Sequence, residues 1–81
     1  MAYNNSRNPL RVLAKRIGNP VAVLLKDGTK YTGDLKEYDN FMNIILQNAK
    51  EFLRGAEKES ETAFPEIFIR GNNVLYIQPE P

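Results

Sequence analysis

The chain has 81 residues, enough for one small domain that buries only about 60% of its unfolded surface and so needs added support. It has no cysteine, which excludes disulfides and thiolate metal sites, and no histidine, which removes the commonest metal ligand and general base. Eleven basic residues against ten acidic leave a net charge of +1, so any nucleic-acid contact must be a local site and not a basic field. Self-association is the remaining route to stability.

Residues 1–7, MAYNNSR, are polar and unpatterned and read as a loose arm. Asn8-Pro9 is an N-cap followed by proline at the first helical position, which predicts a helix over about 8–17. Leu10, Leu13, Ala14 and Ile17 recur at helical spacing, and Gly18 ends the run. Arg7, Arg11 and Lys15 stripe one side of it, either as a phosphate contact or as a solvated face.

Pro20 opens a β run over Val21–Leu25, and Asp27-Gly28 is a hairpin signal. The return strand is long, Thr29–Tyr38, with Gly33 at a bend or close backbone approach of the kind small barrels need. A third strand is expected over Phe41–Asn48, with Met42, Ile44 and Leu46 towards the core. Residues 54–62, RGAEKESET, are charged and turn-rich, a soluble loop or frayed strand ends. Two further strands, Ala63–Arg70 and Val74–Gln78, flank Gly71-Asn72-Asn73, and Pro79-Glu80-Pro81 is a tail. Their apolar runs, Ile67-Phe68-Ile69 and Val74-Leu75-Tyr76-Ile77, do not alternate as half-exposed strands should. These seven residues are therefore expected at a subunit interface. The fold class expected is mostly β: one N-terminal helix, then a five-stranded, strongly bent antiparallel sheet forming a small open barrel.

Chemistry concentrates in YDNFMN (Tyr38–Asn43) and IRGNN (Ile69–Asn73). In a strand, Phe41 and Asn43 would share one face, about 6.6 Å apart. A phenyl face, a carboxamide and the guanidinium of Arg70 are what holding a single-stranded RNA base requires. Each has a plainer reading: Phe41 as a packing aromatic, Asp39-Asn40 as turn chemistry, Arg70 as a strand-end partner of Asp39 or Glu66.

These residues resemble the Sm/LSm family. Val21–Lys50, with Asp27-Gly28, Gly33 and Asp39-x-Phe41-Met42-Asn43, is similar to the first Sm motif. The second Sm motif, expected over about 67–78, is matched by Ile69-Arg70-Gly71-Asn72-Asn73-Val74. The resemblance covers one domain over 8–78. It implies a bent barrel under a helix, assembled into a ring, most often a heptamer, by pairing the fourth strand of one subunit with the fifth of the next. It also implies single-stranded U-rich RNA as partner at the inner rim, beside other RNA-processing proteins, and no cofactor or metal. Carried over by position, Phe41 stacks on the base, Asn43 reads its edge, Arg70 covers the other side, Gly71 allows the tight turn and Asp39 orients Asn43. Tyr38 and Arg11 are candidates for an outer RNA contact. Many archaeal members carry histidine at the Phe41 position, with aromatics there elsewhere in the family, and many members carry aspartate at the Asn72 position. Phenylalanine stacks without hydrogen-bonding, and Asn72 would fix Asn43 less firmly than a carboxylate.

No reaction can be assigned, because no P-loop, acid pair or nucleophile–base arrangement is visible. Absence of a charged-then-apolar start and of long apolar runs points to a soluble cytoplasmic protein without a membrane partner, or a nuclear one in a eukaryote. The short tails lean towards an archaeal source. Two functions follow: a ring that binds U-rich RNA as scaffold or chaperone, or a protein–protein assembly module with little RNA affinity, joined by strand addition.

Overall fold

The structure, a computed structural model, describes residues 9–53 and 61–80. The N-terminal arm, the Asn8 cap, the loop over 54–60 and Pro81 lie outside the described residues. In chain order come α1 (Pro9–Ala14), β1 (Pro20–Leu25), β2 (Lys30–Tyr38), β3 (Ile44–Phe52), β4 (Glu61–Ile69), a 3-10 turn (Gly71–Asn73) and β5 (Val74–Pro79). All five strands form one antiparallel sheet in the order β4-β3-β2-β1-β5. The sheet bends without closing, so among the described residues β4 and β5 each have one unpaired edge. Among the described residues no helix is long and apolar enough to cross a membrane.

A helix over 8–17 is not upheld at that length, because α1 stops at Ala14. The next backbone groups are taken by β2 instead. Gly18 N–H donates to the Leu35 carbonyl at 2.7 Å, Leu35 N–H to the Asn19 carbonyl at 3.0 Å, and Ile17 bridges to Leu35. Gly18 makes that exit at φ +82°, a left-handed conformation that glycine adopts without penalty. As a result Ala14 and Ile17 are exposed, and of the expected helical face only Leu10 and Leu13 meet the core.

The bend has identifiable causes. Gly33 lies so close to β3 that a Cβ there would stand 2.9 Å from the Gln47 carbonyl oxygen and 3.1 Å from the Ala49 Cα. Opposite it, pairing steps from Thr32↔Lys50 to Asp34↔Gln47, which leaves one residue more in β3 than in β2. Asn48 sits in that bulge with φ +51°. A second bulge falls at Lys36, between Leu35↔Leu46 and Glu37↔Ile45. Lys36 Nζ reaches across to Glu66 Oε1 on β4 at 2.9 Å. The curled sheet encloses Leu13, Val21, Val23, Leu35, Ile44, Leu46, Ala49 and Ile69.

The apolar run of β4 alternates in burial, and that of β5 does so apart from one bulge. Ile67, Val74 and Ile77 pack against the core and Ile69 belongs to it, whereas Phe68, Leu75 and Tyr76 are 59%, 57% and 51% exposed. Pairing steps from Leu24↔Tyr76 to Leu25↔Val74, so Leu75 is a bulge, and that is why two successive side chains face outward. Of the seven expected interface residues, three present their side chains to solvent.

Candidate nucleic-acid interface

Phe41 and Asn43 are not in a strand. β3 starts at Ile44, and 39–43 is a tight loop closed by Met42 N–H to the Asp39 carbonyl and Asp39 N–H to the Asn43 carbonyl, both at 3.1 Å. The Asp39 side chain organises it. Its Oδ1 accepts from the Phe41 N–H at 2.8 Å, an Asx turn, and from the Asn43 N–H at 3.0 Å, while Oδ2 accepts from Asn43 Nδ2 at 2.9 Å. Met42 takes φ +66°, which sends its side chain to the core and leaves Phe41 80% exposed. The outward placing of Phe41 expected from strand parity thus arises from a left-handed residue in a turn.

The second loop meets the first. Ile44 pairs with Ile69, and continuing that register by one sets Asn43 opposite Arg70. Gly71 N–H donates to Asn43 Oδ1 at 2.8 Å. The two ends of the carboxamide are therefore tied to different partners, nitrogen to the Asp39 carboxylate and oxygen to the Gly71 backbone. Neither tie tolerates a flip, which would set like groups against each other. One N–H and one lone pair of Asn43 are left for a ligand. The Asn43 amide, joined by the backbone N–H groups of Asn43 and Phe41, holds the Asp39 carboxyl below its ordinary value of 3.8.

Asp39, Phe41, Asn43 and Gly71 are thus brought into one cluster, with Arg70 and Asn72 on its second loop. Arg70 is exposed, and neither suggested strand-end partner takes it: Asp39 is engaged by Asn43, and Glu66 by Lys36. Asn72 is exposed and does not hold Asn43, a task that falls to the Gly71 backbone. Tyr38 ends β2 half-buried against the core and borders a shallow groove with Asp39, Asn43 and Phe68. Arg11 is exposed on α1, outside this cluster. The plainer reading of Asp39-Asn40 as turn chemistry is what the structure shows, whereas the Gly71 N–H and the left-handed Met42 were missed. The signal for the turn was Asp39 two residues before Phe41, the spacing of an Asx turn.

A five-stranded bent antiparallel sheet with two unpaired edges, carrying a phenyl group, an anchored amide and a cation on two abutting loops, defines a small Sm-like β domain. The model of the LSM domain matches residues 11–79, and the chain belongs to the Sm/LSm family. It is 39% identical to the U6 snRNA-associated Sm-like protein LSm6 of Neurospora crassa, over 98% of this chain and 93% of that protein. The Pyrococcus abyssii Sm protein, solved in complex with a uridine heptamer, superposes with a TM-score of 0.80 at 34% identity, covering 90% of this chain and 99% of that one. The SmAP (LSm) protein of Methanococcus vannielii superposes at 0.75 with 43% identity, covering 93% and 99%. Relatives of both kinds match, so the comparisons carry no preference for an archaeal source.

Proposed function

We propose that this chain assembles into a ring through the unpaired edges of β4 and β5 and binds uridine-rich single-stranded RNA at the loops 39–43 and 70–73. Seven subunits is the number adopted, since one similar solved structure is a heptameric archaeal Sm protein. The role is binding rather than catalysis: a scaffold or chaperone that holds short U-rich segments during RNA processing. The observation that carries this reading is the Asn43 amide, fixed between Asp39 and Gly71 beside the exposed Phe41.

Uracil presents a donor at N3 flanked by acceptors, and the free lone pair and N–H of Asn43 complement that edge. Cytosine exchanges donor for acceptor at N3 and at the neighbouring exocyclic group, which would require the flipped amide. Phe41 supplies the π-face on which a base stacks, and Arg70 supplies a cation that covers the base or meets its phosphate. Repeated around a ring, Arg70 concentrates positive potential although each chain is nearly neutral.

The test is equilibrium binding of oligo(U) and oligo(C) to the wild type and to Asn43→Ala. Wild type should prefer oligo(U). The variant should remain assembled and lose about tenfold in oligo(U) affinity, with the preference largely gone. A preference left intact by Asn43→Ala would remove the edge-reading role.

A further inference from the structure

We propose that Pro65 is a stop on the open edge of β4, one that confines strand addition there to residues 66–69. The strand admitted is β5 of a second copy of this chain, so the inference rests on the ring assembly proposed above.

β4 (Glu61–Ile69) is an outermost strand of the sheet, and a proline lies in its middle. Pairing with β3 keeps one register on both sides of that proline, Gln47↔Glu66 and Ala49↔Phe64. An antiparallel pair is either bonded directly or framed by the bonds of its two neighbours. Framing Gln47↔Glu66 would take a bond from the nitrogen of residue 65, which proline cannot donate. Gln47↔Glu66 is therefore the directly bonded kind, and alternation turns the nitrogen of Pro65 towards the open edge. On the Arg70 side of Pro65 that edge offers the N–H groups of Ile67 and Ile69. At residue 65 the row of donors is broken.

The break coincides with the bend. Gly33, held against Gln47 and Ala49, and Asn48, in the bulge at φ +51°, lie on the line across the sheet that ends at Pro65. A strand added along 66–69 thus meets a missing donor and a change of direction at the same place. β5 (Val74–Pro79) suits so short an arm, with six residues, an open edge among the described residues and a bulge at Leu75. A long, straight strand does not. Without the proline, residues 62–69 would be a mostly apolar β segment with a single charge, Glu66, on a sheet edge. That pattern templates open-ended sheets. Pro65 admits the short partner strand and refuses the extended one.

The experiment compares wild type with Pro65→Thr and Pro65→Ala, which restore the N–H with and without β-branching. Urea denaturation establishes that each variant is folded, and sedimentation velocity and thioflavin T fluorescence follow assembly. Both variants should form species larger than the wild-type assembly and shorten the lag to fibrils about tenfold or more. Folded variants with wild-type sedimentation and lag overturn the inference.

Hydrogen exchange on the wild type decides should the variants be unstable. Dilution of the assembly should speed exchange at the Ile67 and Ile69 amides about tenfold or more and leave the amides over 62–64 unchanged. An equal change over 62–64 overturns the inference as well. A wild type that sediments as a monomer at every concentration removes the ring reading instead, and the variant comparison then decides the role of Pro65 by itself.

Discussion

A methyl group on Gly71 would stand 1.8 Å from the carbonyl oxygen of Phe41 and 2.8 Å from the Met42 carbonyl carbon. Both neighbours are backbone, so neither can swing away. Any side chain at this position must push the two loops apart, which breaks the Gly71 N–H bond to Asn43 Oδ1 before any other. Gly71→Ala is therefore expected to cost about 1–3 kcal/mol of stability, as overpacking does, and to weaken oligo(U) binding together with the uracil preference. Urea denaturation and oligo(U)/oligo(C) titration check the two effects. Unchanged values in both would mean that the loops do not depend on this close approach.

Arg70 carries an exposed guanidinium beside the amide and bonds to neither of its nearby carboxylates. Arg70→Ala should weaken oligo(U) and oligo(A) by similar factors, about tenfold or more, and flatten the salt dependence of binding. Assembly, followed by sedimentation, should persist. Monomers would assign Arg70 to the subunit contact.

Gly33 provides a contrast, because its close approach to Gln47 and Ala49 lies in the bend and away from the loops. Gly33→Ala should destabilise the fold by about 1–3 kcal/mol while the protein that remains folded binds oligo(U) normally. Comparison of denaturation midpoints with affinities under native conditions tests the separation.

Protonation offers a test without mutation. The Asp39 carboxyl is held below 3.8 by its bonds from Asn43 and Phe41. A depressed carboxyl pKa means that the ionised form and its contribution are fully present above the ordinary value and lost as pH falls through the depressed one. Oligo(U) affinity should accordingly be flat from about pH 8 to 5, as far as Asp39 governs it, and fall only below 3.8. A midpoint near neutrality would point to another group.

Much of the fold was legible because local signals and the hydrophobic pattern agree. Asp27-Gly28 forms its turn with Gly28 at φ +95° and Asp27 Oδ1 accepting from Thr29 N–H at 2.8 Å. Gly33 marks a close approach, and Gly71-Asn72-Asn73 separates β4 from β5. What escaped was non-local. Ile17 fits a helical period, yet its neighbourhood is captured by Leu35, a pairing no window of sequence contains. The run Val74–Ile77 looks uniformly apolar because a bulge at Leu75 shifts the alternation by one residue. At the site, Asp39, Phe41 and Asn43 were recognisable from residue type, but their placement was not. It depends on a left-handed Met42 and on a backbone N–H from a residue 28 positions away, and a main-chain donor leaves no mark in a sequence.

Native mass spectrometry of the purified protein with equimolar oligo(U) and oligo(A) addresses the central claim most directly. A closed ring that retains oligo(U) in preference to oligo(A) is the predicted result. A ring that retains neither would contradict the RNA-binding reading and leave a protein assembly module, and a monomer would contradict the pairing of the β4 and β5 edges.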